Sequence, residues 1–366
     1  MTRSWSRWSG AERRSALPAA LLMLVSVMAT GPRDLEAQRH TYTKGQPLYP
    51  AYEGWVENSD GSKSMLFGYM NENWEELLDV PVGDDNHFSP GSADVGQPTH
   101  FLPRRNRFIF AVRVPDGFEQ DAELIWTLRA NGKEYRAYGT LRADLYVDNV
   151  IIMSETGALG AGTSSPEIRA NMPPEIQLEG GMERNVRVGE TLTLAAMVSD
   201  DGQPNRDAIL ARRNEGADDE EEGDEEEEED AEDAAAEEDA EAEDDEAEED
   251  EGPTPREQLA SAIRRTTATV TVSKRTGLHF TWFVYRGPGE SVEFDTPQIK
   301  PWEDTRPFAN SPWALSWSVP EQPEDGRWSS EVTFSEPGTY VLRGRADDGG
   351  LYADVEVTVL VQSTVF

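Results

Sequence analysis

Two Asp-Asp-Gly turns carry the densest pattern of reactive side chains in this sequence: Asp200-Asp201-Gly202 and Asp347-Asp348-Gly349. Each follows an alternating apolar run, so each places two carboxylates at the end of a strand. Ca²⁺ takes about six to eight oxygen ligands, and four converging carboxylates would supply part of such a shell. The spacing lacks the EF-hand signature, and Asp-Gly is in any case a preferred turn pair. Calcium and plain turn chemistry are therefore the two readings of these residues.

Tryptophan supplies the second pattern. Trp302, Trp313, Trp317 and Trp328 lie close together in sequence, interleaved with Pro and polar residues and without strand periodicity. Aromatic faces presented from loops offer rigid contact area at low entropic cost, which suits a platform for glycan or protein. The structural reading is a long loop that folds back and covers a sandwich edge or a neighbouring domain, since Trp is highly buried on average. Arg104, Arg105 and Arg107 form a candidate basic patch. The four His are scattered without metal spacing, and no P-loop, H-E-x-x-H, G-x-S-x-G or dinucleotide fingerprint occurs.

The elements that position these residues read as strands. Between Gly45 and Asp148, runs such as Ser64–Met70, Arg107–Val114, Leu124–Leu128 and Glu134–Leu141 alternate between turn signals. Asn131-Gly132 between the last two marks a hairpin, because type I′ turns require positive φ at both central residues. Helical periodicity is nearly absent, which predicts an all-β sandwich over 45–156. A Gly/Ser-rich linker over 157–170 follows. A second alternating unit runs from 171 to 361, with Leu192, Leu194, Ala196 and Val198 on one strand face.

That second unit opens on Asn171-Met-Pro-Pro174 and continues with Gly189-Glu-Thr-Leu-Thr-Leu194, a strand-central Trp282, Glu336-Pro-Gly-Thr-Tyr-Val-Leu342 and Ala346-Asp-Asp-Gly-Gly350. In this it resembles a PKD-type immunoglobulin-like domain, over 171–202 and 278–361. The resemblance implies that Trp282 is the core tryptophan of strand C and Tyr340 the tyrosine-corner residue of strand F. It places Leu342 where an antibody domain has its second Cys. In that topology strands B and F run in the same direction, which puts both Asp-Asp-Gly turns at one pole. The stretch between strands B and C is far longer than the pattern requires. The two-domain layout also resembles uncharacterised exported bacterial proteins, which implies no activity.

Composition explains the long stretch. The chain has 366 residues and a formal net charge of -38, with 71 acids against 33 bases. Residues 218–251 alone hold 26 of those acids and no base; the remainder carries -12. Such a tract lacks the apolar area to offset its ordering entropy, so it is expected to be disordered within an insertion spanning 203–277. A short helix over 255–265 and a strand over 266–274 are expected at its end. The tract reads as a solvating loop, a weak calcium buffer, a binder of basic partners, or an internal mimic competing for a basic patch such as Arg104, Arg105 and Arg107. A basic footprint for nucleic acid is disfavoured. No Cys occurs, which excludes disulfides, thiolate metal sites and Cys nucleophiles.

The first residues explain where such a chain works. Arg3, Arg7, Arg13 and Arg14 precede an apolar run over 16–29, too short to span a bilayer needing about 20 residues. This predicts a signal peptide over 1–37, ending at Ala29 or Ala37, and export to the periplasm or beyond, with no later membrane span. The fold class expected is all-β: two immunoglobulin-like β-sandwich domains, the second interrupted by the acidic insertion. The function expected is a non-enzymatic binding or structural module for glycan or protein, without a cofactor unless the carboxylates take calcium. A hydrolase or accessory subunit acting at an inter-domain cleft, and a calcium-dependent adhesion module, are the alternatives.

Overall fold

A computed structural model describes residues 44–156, 166–205, 274–301 and 318–363. The expected signal peptide, the acidic tract, and the helix and strand foreseen over 255–273 lie outside the described residues. Among the described residues sixteen strands dominate, and the chain is all-β, built as two immunoglobulin-like sandwiches.

The first sandwich uses β1 (Leu48–Glu57), β2 (Lys63–Asn71), β3 (Leu78–Asp79), β4 (Asn86–Ser89), β5 (His100–Phe101), β6 (Arg104–Arg113), β7 (Leu124–Ala130) and β8 (Lys133–Gly139). Its sheets run β1-β2-β6 and β4-β7-β8, with β3-β5 as a short third pair. Asn131 and Gly132 both take positive φ between β7 and β8, as a type I′ hairpin requires. Phe67, Phe88, Phe110 and Trp126 interlock by edge-to-face and stacked contacts in the core between the sheets. The Trp126 indole N–H is satisfied by Asn86 Oδ1 at 3.0 Å, so burying it leaves no orphan donor.

The second sandwich uses β9 (Glu175–Leu178), β10 (Glu183–Arg187), β11 (Leu192–Ser199), β12 (His279–Arg286), β13 (Val292–Asp295), β14 (Arg327–Phe334), β15 (Gly338–Asp347) and β16 (Tyr352–Gln362). Its sheets run β13-β14-β11-β9 and β10-β16-β15-β12. Lettered in chain order, these read D-E-B-A and A′-G-F-C, the immunoglobulin arrangement, with the A′–G pair parallel as the arrangement demands. Trp282, Leu342, Val332 and Phe334 fill the space between the sheets. The Tyr340 hydroxyl donates to the Glu336 carbonyl four residues upstream at 2.9 Å, which is the tyrosine corner.

Two short helices follow the first sandwich: α1 (Asn149–Thr156), and α2 (Pro166–Ala170), which falls within the expected linker. Asp148 caps α1 by accepting the Ile151 amide at 2.9 Å. Met153 and Ile168 bury against Leu351, so tertiary packing rather than an amphipathic repeat holds these turns in place.

The core reading sets a stability test. Leu342→Ala removes a fully buried side chain and is expected to cost about 2–5 kcal/mol in urea unfolding. Tyr340→Phe loses one hydrogen bond and is expected to cost about 0.5–1.5 kcal/mol. Equal, negligible shifts for both would contradict this core.

Candidate functional site

Three regions concentrate polar chemistry: the pole beneath the B–C excursion, the junction between the sandwiches, and an open cavity beside β12.

At the pole, the segment that returns from the insertion is pinned to the turn after β15. Gly349 sits at φ 92°, and a Cβ there would lie 2.5 Å from the Thr276 Cα, so only glycine admits the close approach. The Gly277 amide donates to the Asp348 carbonyl at 2.8 Å. This contact carries Lys274 into the protein, where its Nζ lies 2.9 Å from Asp347 Oδ2, with the two side chains 1% and 5% exposed. Asp347 Oδ1 accepts the Gly349 amide at 2.8 Å. Burial drives the Asp347 carboxyl upward, but Lys274 and His279 outweigh it and hold the group below the usual carboxylate range. His279 pairs with Asp347 across the β12–β15 ladder, and burial depresses its pKa, so the ring is neutral.

The other carboxylates of the two turns serve the backbone. Asp348 accepts the amides of Gly350 and Leu351 and the Asn171 side-chain amide at 3.1 Å. Burial, then the neighbouring Asp347, push its carboxyl up to about 7. Asp200 accepts the Gly202 amide, and Asp201 accepts those of Gln203 and Met172. Asn171 and Met172 thus stand between the two turns. Among the described residues no three acidic or histidine side chains gather closely enough to share an ion, and the partner found at Asp347 is an ammonium group.

The basic patch expected at Arg104, Arg105 and Arg107 is consumed internally. Arg104 stacks 4.1 Å over Trp74 and donates to the Glu72 carbonyl. Arg105 donates to the buried Glu53 carboxylate at 2.6 Å, and Arg107 pairs with Glu155 of α1 at 2.5 Å. These cations build structure rather than offer a free surface.

The junction is the feature that sequence reasoning missed. Phe283 and Tyr285 leave the second sandwich and enter the first domain's core. The Tyr285 hydroxyl donates to the Gly96 carbonyl at 2.5 Å, and Arg286 forks onto Asp94. Arg343 lies 3.5 Å over the Tyr285 ring, donates to the Ile109 carbonyl and pairs with Glu356. Arg345 makes a two-pronged bond to Asp354 and stacks on Tyr352, whose hydroxyl reaches the Phe108 carbonyl at 2.7 Å. These contacts fill the junction along β12, the place where the alternative hydrolase reading puts its cleft. The available signal was the unbroken apolar run Phe280-Thr-Trp-Phe-Val-Tyr285, which argues for burial on both faces.

The cavity measures about 270 Å³ and lies at the free edge of β12, between the segment after β13 and the start of β14. Trp282, Trp328, Pro297, Ile299, Gln298 and Thr281 line it. The benzenoid edge of Trp282 abuts Gly344 on β15. Its Nε1 is buried and, among the described residues, finds no hydrogen-bond partner; the same holds for Thr281 Oγ1. Of the four tryptophans expected as a platform, Trp328 is half-buried at this cavity, while Trp302, Trp313 and Trp317 lie outside the described residues.

The raised Asp348 carboxyl makes a pH prediction. A folded pKa near 7 lies above the unfolded value of about 3.9, so the native state binds more protons between those limits. Its contribution to stability is present in full below pH about 4 and is lost as pH rises toward 7. Asp347, shifted the other way, loses its contribution only as pH falls below the ordinary carboxylate value. Asp348→Asn is therefore expected to flatten the stability profile between pH 4 and 7, read by urea midpoints. A wild-type slope retained in the variant would exclude Asp348 as its source.

No protein-family model matches the chain, and no curated protein does. Among solved structures, an eight-domain immunoglobulin fragment of Down Syndrome Cell Adhesion Molecule is 10% identical, covering 87% of this chain and 27% of that one, at a TM-score of 0.20. A chimeric titin Z1Z2 is 9% identical over 87% of this chain and 100% of that one, also at 0.20. Domains 1-6 of the surface layer protein SbsC are 9% identical over 84% and 24%, at 0.19. The chain therefore spans about a quarter of the first and third of these proteins. Overlap at these scores carries no argument, and the immunoglobulin assignment rests on the strand order itself.

Proposed function

We propose that this chain is an exported, non-enzymatic binding module, in which two sandwiches locked at β12 present the cavity beside that strand to a glycan or protein ligand. The observation that carries the reading is the buried, unpartnered Trp282 indole N–H at a cavity walled by Trp328. A buried donor without a partner costs roughly 1–3 kcal/mol, and a ligand oxygen placed there recovers that penalty. Pro297, Ile299 and the indole faces provide the apolar contact area, while Gln298, Thr281 and the Nε1 donor provide orientation, a division of labour typical of ligand sites. Among the described residues the lining is polar and apolar without Asp, Glu, Lys or Arg, and includes His279. Export rests on the N-terminal sequence pattern. The hydrolase alternative is left without support at the β12 junction, which side chains fill.

A glycan array and an extended-peptide library, screened with the full chain and with Trp328→Ala, test the reading. The variant is expected to lose at least about tenfold in affinity for any hit, the loss typical of a central aromatic anchor. Because Trp328 is partly buried against the second core, the variant's melting temperature is measured alongside, and the affinity loss counts only where the variant stays folded. Hits bound equally by both proteins would move the binding function away from this cavity.

A further inference from the structure

A lysine and an aspartate sealed from water at the end of two strands are poised for more than an ion pair. We infer that Lys274 and Asp347 are joined by an intramolecular isopeptide bond, formed by the folded chain itself. The pair is almost wholly buried, with Nζ 2.9 Å from Oδ2. Holding an ammonium and a carboxylate there is costly, since the desolvation of each charge exceeds what a single contact returns unless further hydrogen bonds satisfy both. Asp347 has such a bond at Oδ1; for Lys274 Nζ, among the described residues, no well-directed hydrogen bond is found, although the carboxylate is within contact distance. A neutral amine facing a neutral acid is the alternative state that a dry site permits, and those are the two reactants of amide formation.

The geometry supplies each part of the reaction. A proton passes from the Lys274 ammonium to Asp347 Oδ2, leaving an amine and a carboxylic acid. The amine lone pair then attacks Cγ, and negative charge develops on Oδ1, the oxygen already held by the Gly349 amide at 2.8 Å. As the intermediate collapses, the Cγ–Oδ2 bond breaks and Oδ2 departs as water, taking the proton it received and a second one from the nitrogen. One C–N bond forms, one C–O bond breaks, one water leaves, and no oxidant or co-reactant enters. His279 stands opposite Asp347 in the strand ladder, is buried and neutral, and feels both Asp347 and Lys274. Its Nδ1 contacts the Gly277 carbonyl at 3.3 Å, which fixes the ring. It is the group placed to carry the second proton from nitrogen to oxygen. Oriented intramolecular partners reach effective concentrations of about 10⁵–10⁸ M when the reacting atoms are held near 3–3.5 Å, and exclusion of water opposes the reverse hydrolysis.

The bond would tie Lys274, in the segment that returns from the acidic tract, to Asp347, the last residue of β15. In an exported chain without cysteine it would serve where other exported domains place a disulfide.

Intact mass of the purified, fully denatured wild-type chain tests this without any variant. The expected result is a mass one water lighter than the sequence of the mature chain requires. Peptide fragmentation should then yield a branched species linking Lys274 to Asp347. A full sequence mass would overturn the inference. So would a water loss mapped to a cyclic imide at Asp348-Gly349 or Asp201-Gly202, the competing dehydration in this sequence. Lys274→Ala is expected to restore the full mass, and His279→Ala to slow the appearance of the branched species during refolding. A branched peptide that forms at the wild-type rate in His279→Ala would remove His279 from the mechanism.

Discussion

Strand β12 is buried on both faces, and the rest of the molecule depends on that. Phe280, Trp282 and Val284 point into the second sandwich, while Phe283 and Tyr285 point into the first. One backbone segment therefore serves two cores, and neither sandwich keeps its full apolar interior without the other. Apolar burial at about 25 cal/mol per Å² makes aromatic side chains the strongest contributors to such a junction. Surrounding polar groups fix its register. Arg343 and Arg345 are buried, yet each has a carboxylate and an aromatic face, which is the condition under which burying guanidinium is tolerable. Inter-domain contacts within a chain are usually smaller and wetter, and they let domains move. A shared strand opposes such motion.

The same strand sets the chemistry of the pole. Because β12 pairs with β15 from His279–Asp347 onward, the residues just before it must approach the turn just after Asp347. Gly349 leaves room for the Arg275–Thr276 backbone, and that fit draws Lys274 inside. A lysine at that depth requires a partner, and the pairing register places Asp347 there. The Asp347 carboxylate of that turn is thus faced by the Lys274 side chain of the same protein.

Much of this was readable from sequence, and what escaped did so for a physical reason. Trp282, Tyr340 and Leu342 were legible because the tyrosine corner and the strand-C tryptophan have fixed offsets within an immunoglobulin-like sheet. The Asn131-Gly132 hairpin was legible because its φ requirement is local. Arg343, Arg345, Asp354 and Glu356 were not, because alternation along β15 and β16 marks them only as positions facing out of their own sheet. Whether out means water or another domain is a tertiary fact. Arg105 and Arg107 misled in the same way: three cations in four positions read as a patch, while Glu53 and Glu155, distant in sequence, neutralise two of them. Lys274 ended an expected strand and carried no signal, since nothing local distinguishes a lysine that turns inward.

The charge of the insertion bears on the fold less than its attachment does. Lengthening a surface excursion costs only about 0.6 kcal/mol per doubling, so the sandwich tolerates a B–C connection of this size. The exposed risk is the point of re-entry, because β12 lies at the edge of its sheet and is paired on one side only, by β15. An edge strand whose leading end hangs from a long excursion frays from that end unless something holds it. The side chain that holds it is Lys274, fixed to the far end of the one strand that β12 pairs with. An anchor there holds the leading end of β12 in register with β15. The two cores that β12 serves, and the cavity at its free edge, inherit their order from that contact.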